Sequence, residues 1–481
     1  MTLTPQTLRA LEDIVGPTGL VVSPEGRLTY ECDMHTFYKG APDAVVLPRS
    51  AEEVAAIVRL CRRERVPIVP RGSGTGLIGG AMAPEGGVMV SMTRMNGIVE
   101  LDFPNRCAVV QPGLINLWLS QATRERGYFF APDPSSQMVS SIGGNASTNA
   151  GGPHCLKYGI TVNHVLGLDV VTGAGEQVRL GGKTHERPGY DLTGLMVGAE
   201  GTLGLLTGVI VRLTHLPEGV KTILASFSTI EDASETVSAI IRAGIIPAAL
   251  EMLDEVVIRA IEEGIHAGYP KGAGAVLLIE LDGPLAEIEA QTAPIEAICR
   301  DHLALEIRVA QSEEERALLW KGRKEAAGVF GRLTPNWLLQ DAVVPRSKLP
   351  QIMKEVLAIA ARHRLVIANV FHAGDGNLHP LICYDDRAPG ELERAKQANE
   401  ELLGACLRLG GSVTGEHGVG LDKRASLPMQ FADADLAFMA RLRRAFDPDS
   451  IMNPGKLLPA HPACAEGFRP ATRPLPAGTW I

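Results

Sequence analysis

Two histidines, His372 and His379, bracket the segment Ala373-Gly374-Asp375-Gly376-Asn377. Apolar runs at residues 365–371 and 381–384 lie on either side, and Asp-Gly between two such runs is a strong hairpin signal. A hairpin closed there brings both imidazoles together at its mouth. Paired neutral imidazoles are usual first ligands for a divalent metal, with a carboxylate to complete the set. Glu416, in Gly415-Glu416-His417-Gly418, is the candidate carboxylate, and His417 adds a third histidine beside it. Zinc, iron and manganese all suit such ligands. The plainer alternative, a turn with histidines packed at its base, accounts for one histidine better than for two and a glycine-flanked Glu-His.

A second chemistry is suggested by glycine. Arg71-Gly72-Ser73-Gly74-Thr75-Gly76-Leu77-Ile78-Gly79-Gly80 contains a literal G-x-G-x-x-G from Gly74 to Gly79. A Rossmann motif of that form must open a helix. Here Ala83-Pro84-Glu85-Gly86-Gly87 breaks the chain, and residues 88–91 read as a strand. The loop therefore lies between strands, where its backbone N–H groups can cradle a pyrophosphate. Residues 140–152 and 197–204 are two further glycine-rich stretches, with much to donate and little to bury. A dinucleotide with a flat heteroaromatic head needs such a surface.

The elements that must position these groups are also legible. Ser50 and Glu53 form a capping box, and Val54, Ile57, Val58 and Cys61 repeat at helical spacing before a strand at 66–70. With a further strand at 165–171, the N-terminal part of the chain reads as one α+β domain wrapped around an extended cofactor. Beyond it, candidate strands at 222–227, 247–252, 275–281, 305–309 and 365–371 interleave with helices. A helix from residue 312 to about residue 330 places Arg316, Trp320 and Arg323 on one face.

Composition narrows the classes. At 481 residues the chain exceeds one ordinary core. A hydrophobic share of 45% with 21% charged residues describes a soluble globular protein. A net charge of -9 argues against a nucleic-acid surface. There is no signal-peptide pattern at the start and no apolar run approaching ~20 residues, so no integral membrane segment is expected. The eight cysteines are scattered, which fits reduced cytoplasmic thiols and offers no iron–sulfur spacing.

In order, Pro70-Arg-Gly-Ser-Gly-Thr-Gly76, Pro132-Asp-Pro134, Gly143-Gly-Asn145, Gly198-Ala-Glu-Gly201, Phe371-His-Ala-Gly-Asp-Gly-Asn-Leu-His379 and Gly415-Glu-His-Gly418 resemble the vanillyl-alcohol-oxidase (PCMH) type of FAD-linked oxidoreductases. The likeness is to the branch acting on D-2-hydroxy acids, nearest the members that oxidise glycolate as one subunit of a complex. It implies an N-terminal helical extension (1–37), a two-part PCMH-type FAD-binding domain (38–217), an α+β, ferredoxin-like substrate and metal domain with a C-terminal helical segment (218–458), and a Pro-rich tail (459–481).

The resemblance also implies roles. Pro70, Arg71, Gly72, Ser73, Gly74, Thr75, Gly76 and Leu77 would hold the FAD pyrophosphate, with Pro132, Asp133 and Pro134 along the cofactor. Ser141, Gly143, Gly144, Asn145, Ser147 and Thr148 would line the flavin and phosphates. Glu200, Gly201 and Leu203 would lie near the adenine half, and Asn453 near the flavin. Some relatives link FAD through a histidine in the glycine loop; Ile78 and Gly79 stand there, so FAD is expected to be non-covalent. Arg323 would pair with the substrate carboxylate through its forked donors, and Asn377 would touch substrate or support the site. His372, His379 and Glu416 would hold the metal, and His417 would act as general base.

The expected reaction is oxidation of a small 2-hydroxy acid, glycolate or D-lactate, to the 2-oxo acid. Partners would be a second FAD-domain subunit and an iron–sulfur subunit, and the location cytoplasmic, reaching the inner membrane only through those partners. A stand-alone D-lactate or D-2-hydroxyglutarate dehydrogenase is the alternative within the class, though residues 326–330 are apolar where dicarboxylate relatives carry polar groups. A His/His/Glu metallohydrolase would leave the glycine loops unexplained, and a non-catalytic nucleotide-binding subunit would leave the histidines idle.

Overall fold

The computed structural model describes residues 3–34, 38–184 and 189–459; all but the first residue of the Pro-rich tail lies outside them. Two sheets build the first half. Ala44–Val46, Val88–Ser91 and Ile68–Arg71 run parallel, with Leu20–Val21 antiparallel at the edge. Parallel strands need a crossover. Helix Ala51–Glu64 supplies one, and the glycine-rich loop after Arg71 supplies the other without a helix. Ser50 Oγ accepts the Glu53 N–H at 3.3 Å, while the Glu53 carboxylate reaches one residue further back, to the Arg49 N–H at 2.8 Å. The second sheet is antiparallel, in the order Ile98–Asp102, Cys107–Val110, Leu205–Arg212, Val165–Val171 and Gln177–Gly181.

The end of the chain returns to this half. Ile68 donates to the Ile451 carbonyl at 2.8 Å and accepts from the Asn453 N–H at 2.7 Å. Ile451 and Met452 then complete the apolar core around Ile57, Val58 and Ile68.

The second half is one antiparallel sheet. Its central strands run in the order Glu306–Val309, Gly219–Phe227, Ala275–Gly283, Ala249–Asp254 and Val366–His372. Helices cover both faces, so these strands are almost continuously apolar. Phe227, Leu277, Met252 and Phe371 pack under Ile230–Arg242, Leu285–Asp301, Leu349–His363 and Glu391–Arg408. Leu224, Leu278, Leu253 and Val370 pack under Glu255–Gly264 and Glu313–Lys324. Burying each such side chain contributes about 1.5–3 kcal/mol. Because successive residues alternate faces, a one-residue slip would exchange the two cores.

That alternation places the chemistry. Glu280 shares a face with Leu278 and pairs in register with Thr222 and Ala249; Glu251 lies directly opposite His372. The helix expected to run to about residue 330 is interrupted once, at Glu325: Glu313–Lys324 is followed at once by a four-residue α-helix, Ala326–Val329, and a 3-10 turn, Phe330–Arg332. The break directs Ala326, Val329 and Phe330 into the apolar core, so packing overrides helical continuity. Helix Asp433–Phe446 forms the C-terminal helical segment. Among the described residues no helix is long and apolar enough to cross a membrane.

Candidate functional site

A cavity of ≈ 420 Å³ joins the two halves. One wall is Pro70 to Leu77 with Pro134, Ser141, Gly143, Gly144, Asn145, Ser147, Thr148, Glu200 and Gly201; the other carries Arg323, His372, His379, Glu416 and His417. Pro132, Asp133, Leu203, Asn377 and Asn453 are not among its lining residues. Instead, Pro132 accepts from Asn116 Nδ2 at 3.0 Å, and Asp133 binds His154. Asn453 Nδ2 donates to the Gly80 and Glu200 carbonyls at 3.2 and 2.7 Å, so it braces the glycine loop from behind. Asn377 sits against Gly415, a place that suits support of the loop better than contact with substrate. The lining also includes residues the sequence did not single out, among them Ser135, Ser136, Leu339 and Val370.

The glycine wall fits a large cofactor because its crowded positions leave no room for a side chain and expose backbone instead. A Cβ on Gly72 would overlap Ser141 Oγ, and one on Gly74, whose φ is +73°, would overlap the Arg71 guanidinium. Asn145 Nδ2 is buried without a partner on this wall, a donor that a dinucleotide can satisfy. Gly151 brings the wall up to the histidine cluster, since a Cβ there would lie 2.5 Å from Glu416 Oε2.

The hairpin forms as its turn residues require. Val366–His372 pairs with Pro380–Tyr384, and His372 pairs with Asn377 across the turn. His372 and His379 thereby meet edge to face, ring centroids 5.2 Å apart, and His379 stacks on His417 at 5.1 Å. Glu416 Oε1 lies 2.9 Å from His379 Nε2 and 3.3 Å from His372 Nε2. Ligand atoms of His372, His379 and Glu416 all fall within 4.8 Å of one another.

Behind these groups stand carboxylates that the sequence did not reveal. Glu251 holds His372 Nδ1 at 2.8 Å and Arg323 at 2.6 Å. In a neutral His372 ring this bond puts the hydrogen on Nδ1 and leaves Nε2 free for a metal, the usual carboxylate–histidine–metal arrangement. Asp341 accepts the N–H groups of Gly415, Glu416 and His417 at 3.1, 3.0 and 3.0 Å, the Thr414 hydroxyl at 2.7 Å and Lys423 at 3.0 Å. Asp341, His379 and His417 also come within metal-binding reach of one another. Asp341 is already saturated, however, so the His372–His379–Glu416 set is the better donor set.

Charge agrees with that choice. The carboxylates Glu251, Asp341 and half-buried Glu416 outnumber the buried cations Arg323 and Lys423. Burial disfavours a charged His372, yet Glu251 and Glu416 raise its pKa well above the ordinary value. The same negative potential favours a divalent cation. His417 is lowered to about 4, mainly by burial, so it is neutral near pH 7. Arg323 Nε is buried without a partner, a donor left over after Glu251 has been served.

A third cluster ties the halves together. His154 contacts Asp133 at 2.7 Å and Glu280 at 3.2 Å; Glu280 also accepts from Thr222, Arg316 and Trp320. The helix that bears Arg323 is thus fixed to the glycine-rich half. Burial opposes a charged His154, but Asp133 and Glu280 outweigh it and raise its pKa to about 10, while Glu280 is lowered to about 2. The sign follows from linkage. His154 stabilises fully below its unfolded value of 6.5 and loses that contribution as pH rises toward about 10. Glu280 contributes above 4.5 and loses its share as pH falls toward about 2. In His154→Gln the drop in Tm from pH 6.5 to about 10 is expected to be smaller than in wild type. Parallel curves would show that His154 gains nothing from these carboxylates.

Family models agree with this division. Residues 42–181 match an FAD binding domain, and residues 216–457 match the C-terminal domain of FAD linked oxidases. The chain is 44% identical to the glycolate oxidase subunit GlcD of Escherichia coli K12 over 459 residues, 95% of this chain and 92% of that protein. It is 45% identical to GlcD of Bacillus subtilis over 456 residues, 95% of this chain and 97% of that one. Substrate-bound p-cresol methylhydroxylase shares the fold at a TM-score of 0.80 and 17% identity, covering 94% of this chain and 96% of its own.

Proposed function

The chain belongs to the FAD linked oxidases, and we propose that it oxidises a small 2-hydroxy acid, glycolate foremost, to the 2-oxo acid with non-covalent FAD. The observation that carries this reading is the continuity of one cavity from the glycine-rich wall to Arg323, His417 and the His372–His379–Glu416 cluster. Bound FAD supplies the two-electron acceptor for the Cα hydride. His372, His379 and Glu416 would hold a divalent metal, whether zinc, iron or manganese, whose charge would lower the pKa of the substrate hydroxyl.

The protein groups do the rest. Arg323, held from one side by Glu251, offers its unpartnered Nε to the substrate carboxylate and so fixes which way Cα faces. A substrate this small has little area to bury, so orientation must supply most of the selectivity. Neutral His417 accepts the hydroxyl proton at a ring nitrogen. Phe330, Leu339 and Val370 line the same cavity and favour a small monocarboxylate over a dicarboxylate. Electrons would then leave through partner subunits, as the resemblance to a glycolate oxidase subunit suggests: a second FAD-domain subunit and an iron–sulfur subunit. The complex would sit in the cytoplasm and meet the inner membrane through those subunits.

Anaerobic bleaching of the flavin tests the reading. Glycolate is expected to bleach it fastest in a panel with D-lactate, L-lactate and D-2-hydroxyglutarate. A yellow protein that none of the four reduces would overturn the substrate class, and fastest reduction by D-lactate would favour a D-lactate dehydrogenase.

A further inference from the structure

The segment carrying Glu416 and His417 is held from both halves of the molecule. Asp341, from the second half, takes the N–H groups of residues 415, 416 and 417. Glu200, from the first half, takes the next pair: its Oε1 accepts from Val419 at 2.7 Å and its Oε2 from Gly420 at 2.8 Å. The fit is close. A Cβ on Gly418 would lie 2.8 Å from Glu200 Oε1, and the Leu421 N–H reaches the Ile78 carbonyl at 2.8 Å.

The backbone at Glu200 shows that its carboxylate is wanted there. Gly198, Glu200 and Gly201 all have positive φ, +82°, +52° and +69°. Glycine adopts such angles without strain, whereas a glutamate does so rarely and at some cost. The position is locked by the Glu200 N–H on the Ser147 carbonyl at 2.8 Å and by Asn453 Nδ2 on the Glu200 carbonyl at 2.7 Å. Ser147 lies on helix Ile142–Thr148, whose residues line the cofactor wall. One residue therefore touches the cofactor-side helix through its backbone and the metal-side loop through its side chain.

We infer that Glu200 is a positioning residue for the metal site: the FAD-binding half supplies the strut that fixes Glu416 as a ligand. The inference rests on the metal reading above and extends it. Neither half then builds the metal site alone. Outer partners that orient a metal ligand typically affect affinity by about 10–100-fold when removed.

The test uses FAD-loaded wild type, Glu200→Gln and Glu200→Ala, with His372→Ala as the control for loss of a ligand. Zinc affinity is measured by competition with a chelator, and flavin content by absorbance. With FAD held saturating, both Glu200 variants are expected to bind zinc about 10–100-fold more weakly. Their turnover should return when the metal recovered from wild type is added in excess, as it cannot in His372→Ala. If Glu200→Ala does not fold, the isosteric Glu200→Gln carries the test. Zinc affinity unchanged in a variant, or FAD lost while zinc stays, overturns the inference and leaves the metal reading intact. A wild type that binds zinc no better than His372→Ala removes both.

Discussion

Alanine at His372, His379 or Glu416, one at a time, is expected to leave FAD bound and to remove the metal with nearly all turnover. Each side chain supplies one ligand atom of a compact set, and two remaining ligands cannot reproduce a His/His/carboxylate site with an open position for substrate. His417→Ala should behave differently. It removes a proton acceptor rather than a ligand, so metal content should stay and kcat fall by about 10²–10⁴-fold. Elemental analysis beside single-turnover flavin reduction separates the two classes. Fully active wild type without a divalent metal would reject the metal reading outright.

Gly74→Asp is expected to abolish FAD retention. A side chain at φ +73° is strained and collides with the Arg71 guanidinium, and a carboxylate there would neutralise Arg71 and add negative charge to the loop proposed to hold the pyrophosphate. At contact distance near a protein surface, two like charges oppose each other by about 4 kcal/mol, roughly a 10³-fold loss of affinity. Gly74→Ala carries the strain without the charge and should lose less. Flavin content after desalting and refolded-state circular dichroism are the measurements; equal retention by both variants would mean the pyrophosphate lies elsewhere.

Local patterns made much of this legible. Asp-Gly between apolar runs specified the hairpin that aligns His372 with His379. The break at Ala83 to Gly87 ruled out a helix after the glycine loop, and strand Val88–Ser91 does follow it. Helix Ala51–Glu64 begins at its Ser50 cap. Glu251, Glu280 and Asp341 were not legible, because each is a lone acid in an apolar or mixed segment. Their meaning comes from partners far along the chain: Glu251 from His372 and Arg323, Asp341 from the loop at 414–417. Pro132 and Asp133 carry a family motif and Leu203 lies just beyond another, yet none of the three lines the cavity. A motif marks a stretch of backbone more reliably than it marks which atoms face a ligand. The one-residue break at Glu325 was hidden for a related reason: the residues around it have ordinary helix-compatible composition, and the helix resumes over Ala326–Val329.

The return of Ile451 to Asn453 onto Ile68 has a consequence for synthesis. On the ribosome, the half of the molecule that emerges first is the half that is finished last. Its parallel sheet lacks a neighbour, and its glycine loop lacks the Asn453 brace, until Ile451 to Asn453 leave the exit tunnel. At about 5–20 residues per second, that delay is on the order of tens of seconds. Through it the nascent chain carries an open dinucleotide cradle beside an unfilled apolar groove. The order of translation is therefore not the order of assembly.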